Sequence, residues 1–255
     1  MKKVVWGLVA LASFVVGTTA HGLTFTATGH GDDTNETLSA SATFAISDLK
    51  LVITLSNTAT FDPDDCADIL TGIFFALAGD PALTPVTALL GPDTAIKDRP
   101  GASGPGMNVG GEWAYRNDLT GLPHGANEGI SCTRLKKFNQ HFRFPGPNLQ
   151  GPVSPGKVQY GVTTDFDNMG NDKGGLKHQQ LVENTVIFML DDLPSNFTLA
   201  DITDVSFQYG TSLKDATIAG TSGVLVVPEP STVALVAVGL LGAFASTRQS
   251  TTTKT

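Results

Sequence analysis

Cysteine, tryptophan and basic side chains are all scarce in this chain of 255 residues: two, two and 16 respectively, against 24 acidic residues. Two cysteines permit one disulfide at most, and they do not form a C-x-x-C redox or zinc pair. Neither H-E-x-x-H nor a glycine loop ending in Lys-Ser or Lys-Thr occurs, so the zincin and P-loop motifs are absent. Gly101-Ala102-Ser103-Gly104-Pro105 comes nearest to a nucleophile elbow, but Pro105 stands where that turn needs glycine. Also lacking is any helical period of useful length before residue 231. The two carboxylates of a glycosidase can lie far apart in a sequence, so motif absence leaves that chemistry open.

What is present is clearest at the two ends. Met1 to Ala20 has a basic start (Lys2, Lys3), an apolar stretch from Val4 to Val16 and a small-residue exit, Thr18-Thr19-Ala20. These are the three zones of a secretory signal peptide, with signal peptidase expected to cut before His21. At the other end, Ser231 to Thr247 carries no charge and is dominated by Val, Leu and Ala. Seventeen residues rising about 1.5 Å each reach roughly 25 Å, the lower limit for a transmembrane helix. Such a length suits a transient hold in the inner membrane. Pro228 and Pro230 lack an N–H, and Pro230 keeps Glu229 out of helical geometry, so the Pro-Glu-Pro stretch stays extended and open to a processing enzyme.

Val227-Pro228-Glu229-Pro230, then the apolar segment, then Arg248, resembles the PEP-CTERM sorting signal of Gram-negative bacteria. The resemblance implies export, processing by exosortase near the Pro-Glu-Pro element, and delivery to the cell surface or extracellular matrix. Tails of that group end in a cluster of arginines; here only Arg248 and Lys254 follow. The domain division that results is 1–20 signal peptide, 21–226 extracellular domain, and 227–250 sorting signal with a helix at about 231–247.

Between His21 and Val227 lie 12 of the 16 basic and 23 of the 24 acidic residues, a net charge of −11. Nucleic acid and anionic membrane are excluded as partners, since both repel such a surface. Some 200 residues suffice for one sizeable core. Leu38, Ala40, Ala42, Phe44 and Ile46 alternate with polar residues, and the alternation resumes at Leu49, Leu51, Ile53 and Leu55, a β-hairpin signature. Ile69 to Ala78 reads as a buried strand because Ile, Phe and Thr dominate it. Lys157 to Thr164, Asn184 to Leu190 and Val205 to Gly210 read as further strands, and Val109 to Tyr115 as a strand-like island in the Gly/Pro-rich stretch 91–155. The expected fold is all-β, a single β-sandwich-like domain with long Gly/Pro-rich loops. The strings DILTGIFFAL, VGGEWAYR, NLQGPVSPGKVQYGV and ITDVSFQYGTSL resemble those of exosortase-dependent surface proteins over roughly Leu38 to Leu213. That implies a shared fold and destination rather than an activity.

Several constellations are candidates for chemistry. Cys66 and Cys132 both lie in the exported portion, where a disulfide closing that loop adds about 4 kcal/mol in the chain-entropy model. Asp165, Asp167, Asn171 and Asp172 begin like a calcium loop with Gly170 at the sixth place, but Met169 and Leu176 occupy ligand positions. Asp62, Asp64, Asp65 and Asp68 form a second acidic cluster of a kind that turns produce by themselves. No cofactor is expected, with calcium at these clusters as the alternative. An N-terminal His21 with His30, His124, His141 or His178 is a weak copper pattern. Trp113, Tyr115 and Phe138 to Phe144 are candidates for a sugar-stacking platform as well as for core. Asp191-Asp192 before Pro194 reads as a turn. The function expected is that of an exported, non-catalytic surface or matrix protein associated with exopolysaccharide or biofilm. The alternative is a secreted polysaccharide-binding or polysaccharide-acting protein using the 91–155 loops.

Overall fold

Alternation of apolar and hydroxyl side chains decides how the first third of the domain folds. The computed structural model describes residues 22–31, 36–97, 103–133, 144–151, 158–164, 176 and 179–224. Its strands are β1 (Gly22–His30), β2 (Thr37–Ser47), β3 (Lys50–Asn57), β4 (Leu70–Leu77), β5 (Thr84–Leu90), β6 (Ile96–Lys97) and β7 (Ala114–Arg116). There follow β8 (Glu128–Ser131), β9 (Val162–Thr163), β10 (Leu181–Glu183), β11 (Thr185–Asp191), β12 (Ile202–Tyr209), β13 (Thr217–Ala219) and β14 (Thr221–Val224). Among the described residues the only helices are short 3-10 turns, and no helix is long and apolar enough to cross a membrane. The signal peptide at 1–20 and the helix expected at about 231–247 lie outside the described residues.

Two sheets form. One runs β14-β1-β2-β3-β11-β5; the other runs β13-β12-β4-β9-β10-β6, with β8 joined to β4 and β7 to β8. The expected hairpin is β2 with β3, paired from Ala40↔Asn57 to Ser47↔Lys50. Leu38, Ala40, Ala42 and Phe44 face inward from β2, and Leu51, Ile53 and Leu55 from β3. Leu49 departs from the expected series: with Asp48 it makes the two-residue turn, at φ 59° and 49°, and it is 55% exposed. Such a turn demands left-handed backbone, and the register it sets takes Leu49 off the inner face. Ile69–Ala78, Asn184–Leu190 and Val205–Gly210 supply β4, β11 and β12 as expected. Val109–Tyr115 becomes a 3-10 turn at Gly110–Glu112 followed by β7, and the Lys157–Thr164 stretch keeps only β9. There the Gly161 N–H donates to the Val158 carbonyl at 2.8 Å, closing a turn in place of a longer strand.

The Gly/Pro-rich middle has a structural task. β5 is the last strand of its sheet, and its open edge is filled by main chain from that region. Leu90 N–H donates to Met107 O at 2.9 Å, Val109 N–H to Ala88 O at 2.8 Å and Gln150 N–H to Val86 O at 3.0 Å. A covered edge cannot recruit another chain. Gly110 permits the approach, since a Cβ there would sit 2.5 Å from the Gln150 carbonyl oxygen.

Between the sheets the inward side chains make one core. Phe44 of the first sheet meets Phe75 of the second edge to face at 5.5 Å and Phe25 of its own sheet at 5.8 Å. Trp113 meets Phe188 at 4.8 Å in the same manner. Offset and edge-on rings add about 0.5–1.5 kcal/mol to the burial itself. Phe44→Ala is therefore expected to cost about 3–5 kcal/mol, and Thr43→Val, one residue away on the outer face, under about 1 kcal/mol. Urea unfolding of the two variants checks the contrast.

Candidate functional site

The first and last described strands of the domain are paired with each other. β1 begins at Gly22 and β14 ends at Val224, and Leu23 pairs directly with Val224 in an antiparallel ladder that continues to Thr26↔Thr221. The first and last strands of the domain thus finish side by side at one corner of one sheet. Pro228 follows Val224 by four residues. The sorting-signal residues Val227, Pro228, Glu229, Pro230 and Arg248 lie outside the described residues, as do Asp165, Asp167, Asn171 and Asp172 of the calcium candidate.

Inside the domain the acidic clusters resolve into turn chemistry. Asp65 and Asp68 form a reciprocal capping box on the 3-10 turn Cys66–Asp68, with the Ala67 N–H donating to Asp65 Oδ1 at 2.9 Å. Asp68 Oδ2 also accepts the N–H groups of Asp64 and Asp65, and burial pushes its carboxyl above the usual range. Asp191 holds Lys50 at 2.7 Å, which draws its carboxyl down, and Asp192 accepts the Thr84 hydroxyl. Among the described residues no group of three or more His, Cys, Asp or Glu side chains is placed to hold a metal; His30 and His124 are exposed. Ser103 spends its hydroxyl accepting the Ile96 N–H at 3.0 Å.

The aromatic and cysteine candidates lie in or against the apolar clusters. Trp113 and Tyr115 form no sugar platform, because Trp113 is fully buried and Tyr115 is 2% exposed, both packed in the core between the sheets. Phe144 is buried against Phe74 on the second sheet's other face, while residues 138–143 lie outside the described residues. No disulfide joins Cys66 to Cys132. Cys66 packs with the Ile69, Val158, Leu176 and Leu181 cluster, whereas Cys132 packs against the main core with its thiol toward the Thr71 carbonyl at 3.5 Å. Burial, then the Glu112 carboxylate, pushes the Cys132 thiol up, so it is a poor nucleophile in the folded protein.

One chemically loaded group was missed by reading the sequence. Glu128 on β8 is fully buried and accepts the Tyr115 hydroxyl at 2.5 Å through Oε2. Its Oε1 has no hydrogen-bond partner, and Asp80 lies in the turn after β4. Burial, with Asp80 nearby, pushes Glu128 up to about 8. Tyr115 is pushed well up by burial and by Glu128. The network ties β4, β7 and β8 together, and its sequence separations of 13 and 48 residues give no pattern to read.

Fold and termini together define an all-β, two-sheet domain whose ends meet at one corner. The tail gives the second step: residues 226–249 match the family model described as the PEP-CTERM protein-sorting motif. The chain carries a PEP-CTERM sorting signal, which marks it as an exosortase-targeted protein exported to the Gram-negative cell envelope or surface. No curated protein and no solved structure matches the chain.

Two outcomes follow. Because the folded-state pKa of Glu128 is raised, its contribution is present in full below the ordinary glutamate range and is lost as pH rises toward about 8. Glu128→Gln keeps an acceptor for the Tyr115 hydroxyl and removes the titrating carboxyl. Its unfolding free energy should therefore lose that slope, which is about 1.4 kcal/mol per pH unit, when urea titrations at pH 5 and pH 8.5 are compared. Separately, mass mapping of the exported protein without reductant should recover Cys66 and Cys132 on unlinked peptides.

Proposed function

We propose that the chain is a non-catalytic surface or extracellular-matrix protein whose β-sandwich is the cargo and whose tail is cut by exosortase after export. The observation that carries this is the sorting-motif match at 226–249, which begins only after the last described strand residue, Val224. The matched segment contains none of the described strands, so removal of the tail leaves every one of them in place. The β1–β14 ladder supports the reading physically, since it secures both ends of the domain by main-chain hydrogen bonds before either flanking segment is reached. Signal peptidase acting before His21, and a transient hold in the inner membrane through about 231–247, complete the route.

The described part of 91–155 favours the non-catalytic reading over an enzyme built on those loops. Trp113, Tyr115, Leu119, Leu122 and Phe144 are all turned into apolar clusters, the main chain of 106–109 and Gln150 pairs with β5, and that of 148–149 pairs with Trp113 and Ala114. C-terminal mass spectrometry of the surface form, from hosts with and without exosortase, tests the proposal. Loss of the residues after the Pro-Glu-Pro element only when exosortase is present is expected; an intact Thr255 in the surface form overturns it. Turnover of a glycan that disappears on replacing one carboxylate would overturn the non-catalytic part.

A further inference from the structure

Neither the sorting signal nor the core accounts for the outward face of the first sheet. Strand register lays Thr24, Thr43 and Thr54 side by side in one row, and Thr26, Ser41 and Ser56 in the next. Thr185 of β11 extends the second row. All six side chains on β1, β2 and β3 are exposed or half-exposed. Two cross-strand contacts are hydroxyl to hydroxyl: Thr24 to Thr43 at 2.8 Å and Ser56 to Thr185 at 2.8 Å. Sheet geometry spaces such rows about 4.8 Å across strands and about 6.7 Å along them. The result is a flat, repeating array in which every hydroxyl can both donate and accept.

Charge is what this face leaves out. The chain carries a net −8, yet none of the six positions is ionisable, and the charged pair at the hairpin end of the face, Lys50 with Asp191, is joined at 2.7 Å. Asp48, Asp80, Asp93, Asp118 and Asp192 have left-handed backbone in turns and loops, and Asp204 has it at the irregularity within β12; none belongs to the two hydroxyl rows. An apolar partner would strip water from the hydroxyls without replacing its hydrogen bonds, which is costly. A polyanion would be repelled by the net negative charge of the chain. A neutral polymer of hydroxyls replaces each bond to water in kind. Its C–H ring faces fit the threonine methyls and the neighbouring half-exposed Val52 and Ile187.

We propose that the Thr/Ser face of β1, β2 and β3 is a docking surface for a neutral polysaccharide. The inference rests on the surface-protein reading, since it is the exported form that meets such a polymer. The exported chain is tested by co-sedimentation with cellulose, as an insoluble neutral glucan, and with calcium alginate gel, as a polyanion. Two variants are carried beside it: Ser41→Lys with Thr43→Lys, which places charge in mid-face, and Thr24→Val with Thr43→Val and Thr54→Val, which keeps shape and strand preference while removing one hydroxyl row. Urea midpoints establish that each variant is folded.

The parent chain is expected to sediment with cellulose and not with alginate. Affinity for cellulose should fall at least tenfold in the lysine variant and severalfold in the valine variant. A folded parent that ignores cellulose, or variants that bind it undiminished, overturns the proposal. So does a dimer in sedimentation velocity that the lysine pair dissociates, because the face would then meet a second copy. Tail removal is read by mass spectrometry on the same samples. A processed chain that ignores cellulose removes this inference and leaves the sorting proposal standing, while a cellulose-binding chain with Thr255 intact does the reverse.

Discussion

Everything described in this domain depends on the mutual burial of two sheet faces. Phe44 and Phe75 meet across the gap at 5.5 Å, Trp113 and Phe188 at 4.8 Å, and the aliphatic side chains of β2, β3, β4, β11 and β12 fill the space between these rings. Each sheet alone would leave one apolar face in water, which is why neither half is stable without the other. The constraint is two-sided: once alternate residues of β1 to β3 are committed inward, the residues between them must form a surface. A row of Thr and Ser is that surface here, and it keeps strand propensity high without adding charge.

Acidity is distributed by a different rule. Six of the ten non-glycine residues with left-handed backbone are aspartates, and others cap 3-10 turns through the Asp65–Asp68 and Thr198–Asp201 boxes. Aspartate suits these places because its short side chain bonds nearby backbone N–H groups and tolerates left-handed geometry. The negative charge of the chain is thus largely a record of how its turns are built. Glu128 follows another rule: it is fully buried on β8, accepts the Tyr115 hydroxyl, and is pushed up by burial.

The PEP-CTERM motif and the fold divide the labour along the chain. Residues 226–249 carry the address, and the strands that precede them end at Val224 beside the start of β1. Closing the first strand against the last means that the sheet is complete only once β14 is in place. The Gly/Pro-rich middle serves the same end at the opposite edge, where 106–109 and Gln150 cover β5.

The β2–β3 hairpin, β4, β11 and β12 and the sorting tail were legible because each is a local pattern: period-two alternation, a β-branched and aromatic run, or a motif with fixed spacing. What the sequence by itself determined is the all-β class, the hairpin and the address. Tertiary structure decided the rest, because it depends on residues far apart in the chain. Trp113 and Tyr115 went inward since Phe188 and Glu128 wait there; Leu49 turned outward since its hairpin needed a left-handed residue; Cys66 and Cys132 were drawn into different apolar clusters. The hydroxyl rows belong to the same category. Each strand displays alternate Thr and Ser, but only the register of β1 against β2 and β2 against β3 aligns them into one face.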